Sequence, residues 1–121
     1  MNNKGYYKLI VWQKAHQLVL RIYKITEKFP SDEKFGLTSQ IRRSALSVAA
    51  NIVEGHSRKS RKAFLSFLNI SNASLVETEY FLEVAKDLGY LLEKEYIEAD
   101  NLRSEVGAIL NSFMSTLRSK S

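Results

Sequence analysis

From Ser60 to Leu88 the chain runs 29 residues without a glycine or a proline. Through this stretch Phe64, Phe67, Leu68, Ser71, Leu75, Thr78, Leu82, Ala85 and Leu88 recur at spacings of three and four. That repeat gathers side chains on one face of an α-helix. At 1.5 Å per residue such a helix is roughly 40 Å long. A helix of that length with one apolar stripe needs partners along its whole length, and other long helices are the economical solution.

The rest of the sequence supplies them. Residues about 8–28 carry Trp12, Ala15, Val19, Ile22, Tyr23 and Thr26 as a helical stripe, with Leu18, Leu20 and Ile25 widening the apolar face. Phe29-Pro30 ends this helix, because a residue before proline is driven out of the α region. A second helix is expected over about 38–54, with Thr38 as N-cap, Leu37, Ile41, Ala45, Val48 and Ile52 facing the core, and Gly55 as a left-handed terminator. Ser44, Ser47, Ala49 and Ala50 fill its other faces and allow close helix approach. The third helix spans about 60–88 and stops at Gly89. A fourth covers about 94–118, with Ala99, Leu102, Val106, Ile109, Phe113 and Leu117 inward. No strand-like alternation occurs. Short connections predict one all-α domain over 1–121, an antiparallel up-down-up-down four-helix bundle.

Charge is distributed unevenly. Residues 1–62 hold 13 Lys and Arg against four acids, and residues 63–121 hold five against nine, so +9 and −4 combine to the net +5. Such asymmetry suits nucleic-acid binding or the meeting of unlike faces of two copies. There is no cysteine, hence no disulfide framework or thiolate metal site. No apolar run reads as a signal peptide or a membrane span, which makes the cytoplasm the expected compartment.

A search for catalysis is negative. The only histidines, His16 and His56, follow Gln13 and Val53 at the i−3 position, so no inward Glu-x-x-His metal pair exists. No nucleophile elbow or phosphate-cradling glycine loop is present. His16 reads as a boundary residue beside the core stripe. Glu79, Glu83 and Asp87 read as a solvated acidic face or one turned to a basic neighbour. Glu77 reads as a partner for Arg42 or Arg43. The expectation is no enzyme, no cofactor and no metal.

Arg58, Lys59, Arg61 and Lys62 crowd into a turn of five residues. Arg42 and Arg43 lie on the same helix as the start of that turn, roughly 24 Å away along the axis, so one chain presents two basic patches. Both are candidate phosphate contacts. Tyr6 and Tyr7, near Lys4 and Lys8, offer stacking surfaces for bases or an anchor for the N-terminal segment. Ser47, Asn51 and Glu54 form a polar row beside Ala50, and these four are the candidate subunit interface.

These residues also carry a resemblance. Val11-Trp12-Gln13-Lys14-Ala15, Phe29-Pro30, Glu33 with Phe35-Gly36-Leu37, Gln40-Ile41-Arg42-Arg43, Asn51-Ile52 with Glu54-Gly55, Ser57-Arg58, Ser74 with Glu77, and Leu88-Gly89-Tyr90 resemble the bacterial four-helix bundle proteins known as 23S rRNA intervening-sequence proteins. Ala49 and Ala73 stand where that family often has proline and glycine. The resemblance implies an antiparallel bundle assembling into a ring-like homopentamer. It also implies kinship with the accessory variability proteins of diversity-generating retroelements, which bind nucleic acid and a reverse transcriptase. It implies no catalytic residue. The resulting expectation is a non-catalytic oligomeric bundle binding RNA or DNA through its basic surface. The alternative is an interaction scaffold that self-assembles or docks a protein partner without nucleic acid.

Overall fold

A computed structural model describes residues 4–120. Four helices make up nearly all of it: α1 (Ile10–Thr26), α2 (Leu37–His56), α3 (Arg61–Asp87) and α4 (Glu93–Ser119). Short 3-10 turns at Gly5–Lys8 and Ser31–Glu33 precede α1 and α2, and no strand occurs among the described residues.

The core is a column of aliphatic side chains drawn from all four helices. Leu18 and Ile22 of α1, Ile41, Val48 and Ile52 of α2, Leu68 and Leu82 of α3, and Val106 and Leu110 of α4 are all fully buried. Three expectations about inward faces are corrected. In α1, Leu18 and Ile25 are core residues, whereas Tyr23 is turned outward. In α4, Leu110 and Met114 are buried, and Ile109, Phe113 and Leu117 only flank the core. Leu88 lies past the end of α3 and is exposed. In α1 and α4 two neighbouring apolar rows satisfy the helical repeat, and the helix rotation set by its partners decides which one is buried.

Helices α2 and α3 make the tightest pair, and the small residues of α2 explain why. Ser44 of α2 and Ser71, Ser74 and Thr78 of α3 are buried. A run of hydroxyls crosses the seam: Ser44 and Thr78 share a hydrogen bond of 2.8 Å, Ser74 Oγ donates to Ser47 Oγ at 2.8 Å, and Ser71 Oγ donates to the Val48 carbonyl. Every buried side-chain polar atom among the described residues has a partner, so this polar seam carries no desolvation penalty of the kind an orphaned group would.

The helix ends show how the turns are fixed. Thr38 is not the cap of α2. It is buried in the first turn, Gly36 holds the N-cap position, and Glu33 Oε1 accepts from the Leu37 N–H at 3.0 Å. Gly55 does not terminate α2 in a left-handed conformation, since the helix continues to His56 and only Gly89 among the described residues has positive φ. Gly55 is required by space instead. A Cβ there would lie 2.8 Å from Phe64 Cδ1 and 2.9 Å from Phe67 Cβ. Ser60 caps α3, its Oγ accepting from Ala63 N–H at 3.0 Å. At the far end Gly89 (φ +77) closes a Schellman motif: Tyr90 N–H reaches the Ala85 carbonyl and Gly89 N–H the Lys86 carbonyl. Helix α4 begins with half a capping box, in which Glu95 Oε1 accepts from Leu92 N–H at 2.9 Å.

Ion pairs link α1 and the residues just after it to α4 at Lys14–Glu105 (3.3 Å), Arg21–Glu98 (2.6 Å) and Lys28–Glu95 (2.6 Å). They lie at the surface, so each contributes about 0–1 kcal/mol.

Candidate nucleic-acid interface

The turn between α2 and α3 sits at one end of the bundle, together with the start of α1 and the end of α4. Phe64 of α3 and Phe113 of α4 meet edge to face at 5.5 Å there, and His56 of α2 lies against Gly5. Opposite, Phe29 and Tyr90 mark the end that holds the α1–α2 and α3–α4 connections, their ring centres 5.4 Å apart.

Folding converts the lengthwise charge asymmetry of the sequence into a polarity of the bundle. Residues 4–17, 47–74 and 106–120, which make up the end with the α2–α3 turn, carry nine Lys and Arg and a single acid, Glu54, for a net +8. Residues 18–46 and 75–105 carry nine Lys and Arg against twelve acids, for a net −3. The two figures combine to +5, as the full sequence requires.

Ser57 through Lys62 are all exposed. Within the turn the cations differ. Arg58 is engaged: its Nη2 donates to Glu54 Oε2 at 2.8 Å, and its guanidinium lies 4.8 Å from the centre of the Phe67 ring. Lys59, Arg61 and Lys62 have no hydrogen-bonding, ionic or ring partner among the described residues. Arg61 and Lys62 border a shallow groove that continues over Leu65, Ser66 and Asn69 of α3 to Arg118 of α4. Arg61 and Lys62, beside the Ser66 hydroxyl and the Asn69 amide, form a surface suited to phosphate oxygens.

Arg42 and Arg43 belong to the other end and are committed to the fold. Arg42 Nε donates to Thr26 Oγ1 at 2.9 Å, and its guanidinium covers the Tyr23 ring at 4.6 Å. Arg43 donates to Gln40 Oε1 and faces Glu77 at 3.6 Å, a pair with both members exposed rather than at a buried edge. The structure therefore does not bring these two arginines to the α2–α3 turn.

The polar row is divided. Ser47 accepts from Ser74 and, at 3.0 Å, from Asn51 Nδ2, which also donates to the Ser47 carbonyl. Ser47 thus joins α2 to α3, and Asn51 bonds back along α2. Ala50 and Glu54 are exposed.

Among the described residues no three His, Cys, Asp or Glu side chains are grouped so as to hold a metal ion. None of their helices is long and apolar enough to cross a membrane. His16 is exposed and stacks on Trp12. Glu79 and Glu83 face Arg103 (3.5 Å) and Lys86 (2.8 Å). Sequence reasoning missed Lys4, Lys8, Arg118 and Lys120 as members of the basic end. A signal was present: residues 4–26, 37–53, 61–76 and 106–120 contain no acid. Its meaning depends on which helix ends come together.

Fold and surface thus define an all-α four-helix bundle with one strongly cationic end. The chain belongs to the 23S rRNA-intervening sequence protein family, whose profile matches residues 7–112. It is also similar to a crystal structure of a protein of unknown function from the S23 ribosomal protein family of Bacteroides thetaiotaomicron. The two share 31% identity and a TM-score of 0.78, over 87% of this chain and 98% of that one. No curated protein matches the chain.

Proposed function

We propose that this protein is a non-catalytic, cytoplasmic, oligomeric bundle that binds RNA or DNA phosphates through its cationic end. The observation that carries the reading is the contrast among cations. Lys59, Arg61 and Lys62 stand exposed without partners at an end with a net +8, whereas most cations at the other end are matched to acids or rings. Like charges held this close raise the energy of the free protein and are relieved by an anion. Arg58 joins this set as a contact whose pairing with Glu54 competes with phosphate. Arg42 and Arg43 contribute as a second patch brought alongside by assembly.

Assembly belongs to the same reading. The order of the pairs Lys14–Glu105, Arg21–Glu98 and Lys28–Glu95 supports an antiparallel up-down-up-down topology. Ile70, Val76 and Tyr80 of α3 are 48%, 59% and 64% exposed. Apolar surface of that extent on one helix supports burial against further copies, in a ring-like homopentamer with Ala50 and Glu54 as the parts of the proposed seam open to a neighbour. Kinship with the accessory variability proteins of diversity-generating retroelements is consistent with a nucleic-acid partner.

The test is titration of labelled RNA and DNA at two salt concentrations, with the solution mass measured on the same samples. Affinity is expected to fall steeply with salt, and the combined Lys59→Ala, Arg61→Ala and Lys62→Ala variant to flatten the log–log slope by about 2 to 3. Salt-independent binding, or an unchanged slope in the variant, sinks the assignment. The second reading is an interaction scaffold without nucleic acid, favoured by the same exposed face of α3. It predicts no binding at physiological salt and an oligomer mass that responds to charge reversal.

A further inference from the structure

The N-terminal turn builds a feature that phosphate binding alone does not use. Tyr7, Trp12 and His16 stack as three near-parallel rings: Tyr7 on Trp12 at 5.0 Å and 15°, Trp12 on His16 at 4.9 Å and 14°. Trp12 and His16 are one helical turn apart on α1, which brings their rings together. Tyr7 reaches the stack because the Gly5–Lys8 turn folds back, held by Gln13 Nε2 donating to the Tyr7 carbonyl at 2.7 Å. Tyr6 meets Tyr7 and Trp12 edge-on at 5.1 and 5.0 Å. Being nearly equally far from both, it braces the side of the stack. The two outer rings, Tyr7 and His16, are both exposed.

We propose that the Tyr7–Trp12–His16 stack is a base-stacking platform for single-stranded nucleic acid, placed beside the basic turn. This rests on the phosphate-binding reading and narrows it to single strands. A base laid on either outer ring continues an existing series of parallel rings. The partners needed for its backbone are close by. Lys4 and Lys8 flank the tyrosines, and their side chains have no partners among the described residues. His56, at the end of α2, lies against Gly5, so the chain leading into Arg58–Lys62 starts next to the platform. A duplex keeps its base faces covered along its length, so this arrangement favours single strands. Aromatic platforms combined with cationic tracks are a general solution for that ligand.

The test compares a 12-nucleotide oligouridylate, the matching oligothymidylate, an RNA duplex and inorganic polyphosphate of similar charge. Trp12 is the only tryptophan, so its emission reports on the stack without a label. Single strands are expected to quench Trp12 and to bind at least about 5-fold more tightly than polyphosphate. The Tyr7→Leu/His16→Leu double variant should weaken oligonucleotide binding roughly 5- to 150-fold while polyphosphate affinity is unchanged. Tyr7→Phe should retain binding. Circular dichroism of the double variant separates a lost platform from a lost fold, and the wild-type quenching stands independently of it. Equal affinity for polyphosphate and oligonucleotide with unmoved emission overturns the platform and leaves the phosphate reading intact. So does a duplex that binds as tightly as the single strands. Failure of every polyanion to bind overturns both. The two oligonucleotides decide between RNA and DNA as the preferred strand.

Discussion

The two ends of the bundle use charge in opposite ways. At the end that holds the α1–α2 and α3–α4 connections, ionised groups are part of the fold. Glu33 accepts from the Leu37 N–H and from the Tyr90 hydroxyl, Glu83 from Tyr96, and Glu95 from Leu92 N–H while pairing with Lys28. At the end with the α2–α3 turn the charges outnumber their partners, and Lys59, Arg61 and Lys62 secure nothing. Their removal costs the fold little. The difference separates residues retained for architecture from residues left over for a ligand.

The glycines repeat the contrast. Gly55, at the basic end, is needed because Phe64 and Phe67 occupy the place of a side chain. Gly89, at the other end, has nothing within 4 Å of a prospective Cβ and is needed for its φ of +77. One is a matter of packing and the other of backbone conformation.

Four outcomes would break or sharpen the comparison. The largest is the Lys59→Ala/Arg61→Ala/Lys62→Ala variant, expected to lose most of its nucleic-acid affinity with a thermal midpoint close to wild type. A large fall in the midpoint would show that these cations do serve the fold. Next, Gly55→Ala should destabilise by about 1–3 kcal/mol in chemical denaturation, because rigid phenylalanine rings must shift. Gly89→Ala should cost about 1–2 kcal/mol through left-handed strain alone, and Gly89→Asn less, since asparagine tolerates that region; an equal response to asparagine and alanine would contradict the conformational account.

The smallest effect is on pH dependence. Glu33, Glu83 and Glu95 are all held below the ordinary 4.5. For Glu33 the first cause is the Leu37 N–H, and for Glu83 and Glu95 it is the lysine each one faces, Lys86 and Lys28. A depressed carboxylate contributes stability that is full above its unfolded value and lost as pH falls through the lower folded value. The contribution of these three carboxylates should therefore be full above the ordinary 4.5 and decline as pH falls below it. Removing Glu33 (Glu33→Ala) should shrink that decline; a decline of unchanged size would separate this carboxylate from the stability of its end.

Much of this was legible in the sequence. The uninterrupted run from Ser60 to Leu88, the Phe29-Pro30 stop and the Gly89 terminator specify long helices and where they end, because helical periodicity and backbone conformation are local properties. The all-α class with four helices follows from them, as does the basic turn. Local rules misread Gly55, whose φ is ordinary and whose need is a neighbouring ring. They also misread Thr38, because the capping group for α2 is the side chain of Glu33 in the preceding turn. The choice of Leu110 and Met114 over the adjacent row in α4, the engagement of Arg42 with Thr26 and Tyr23, and the joining of Ser47 to Ser74 all depend on a partner helix.

The amino-acid sequence alone determined the helices and the imbalance between a basic first half and an acidic second half. Only tertiary structure turned that imbalance from one along the chain into one between the ends of a bundle. Packing brings the acid-free starts of α1 and α3 together with the acid-free end of α4, and charge has no direction in space until the helices are packed.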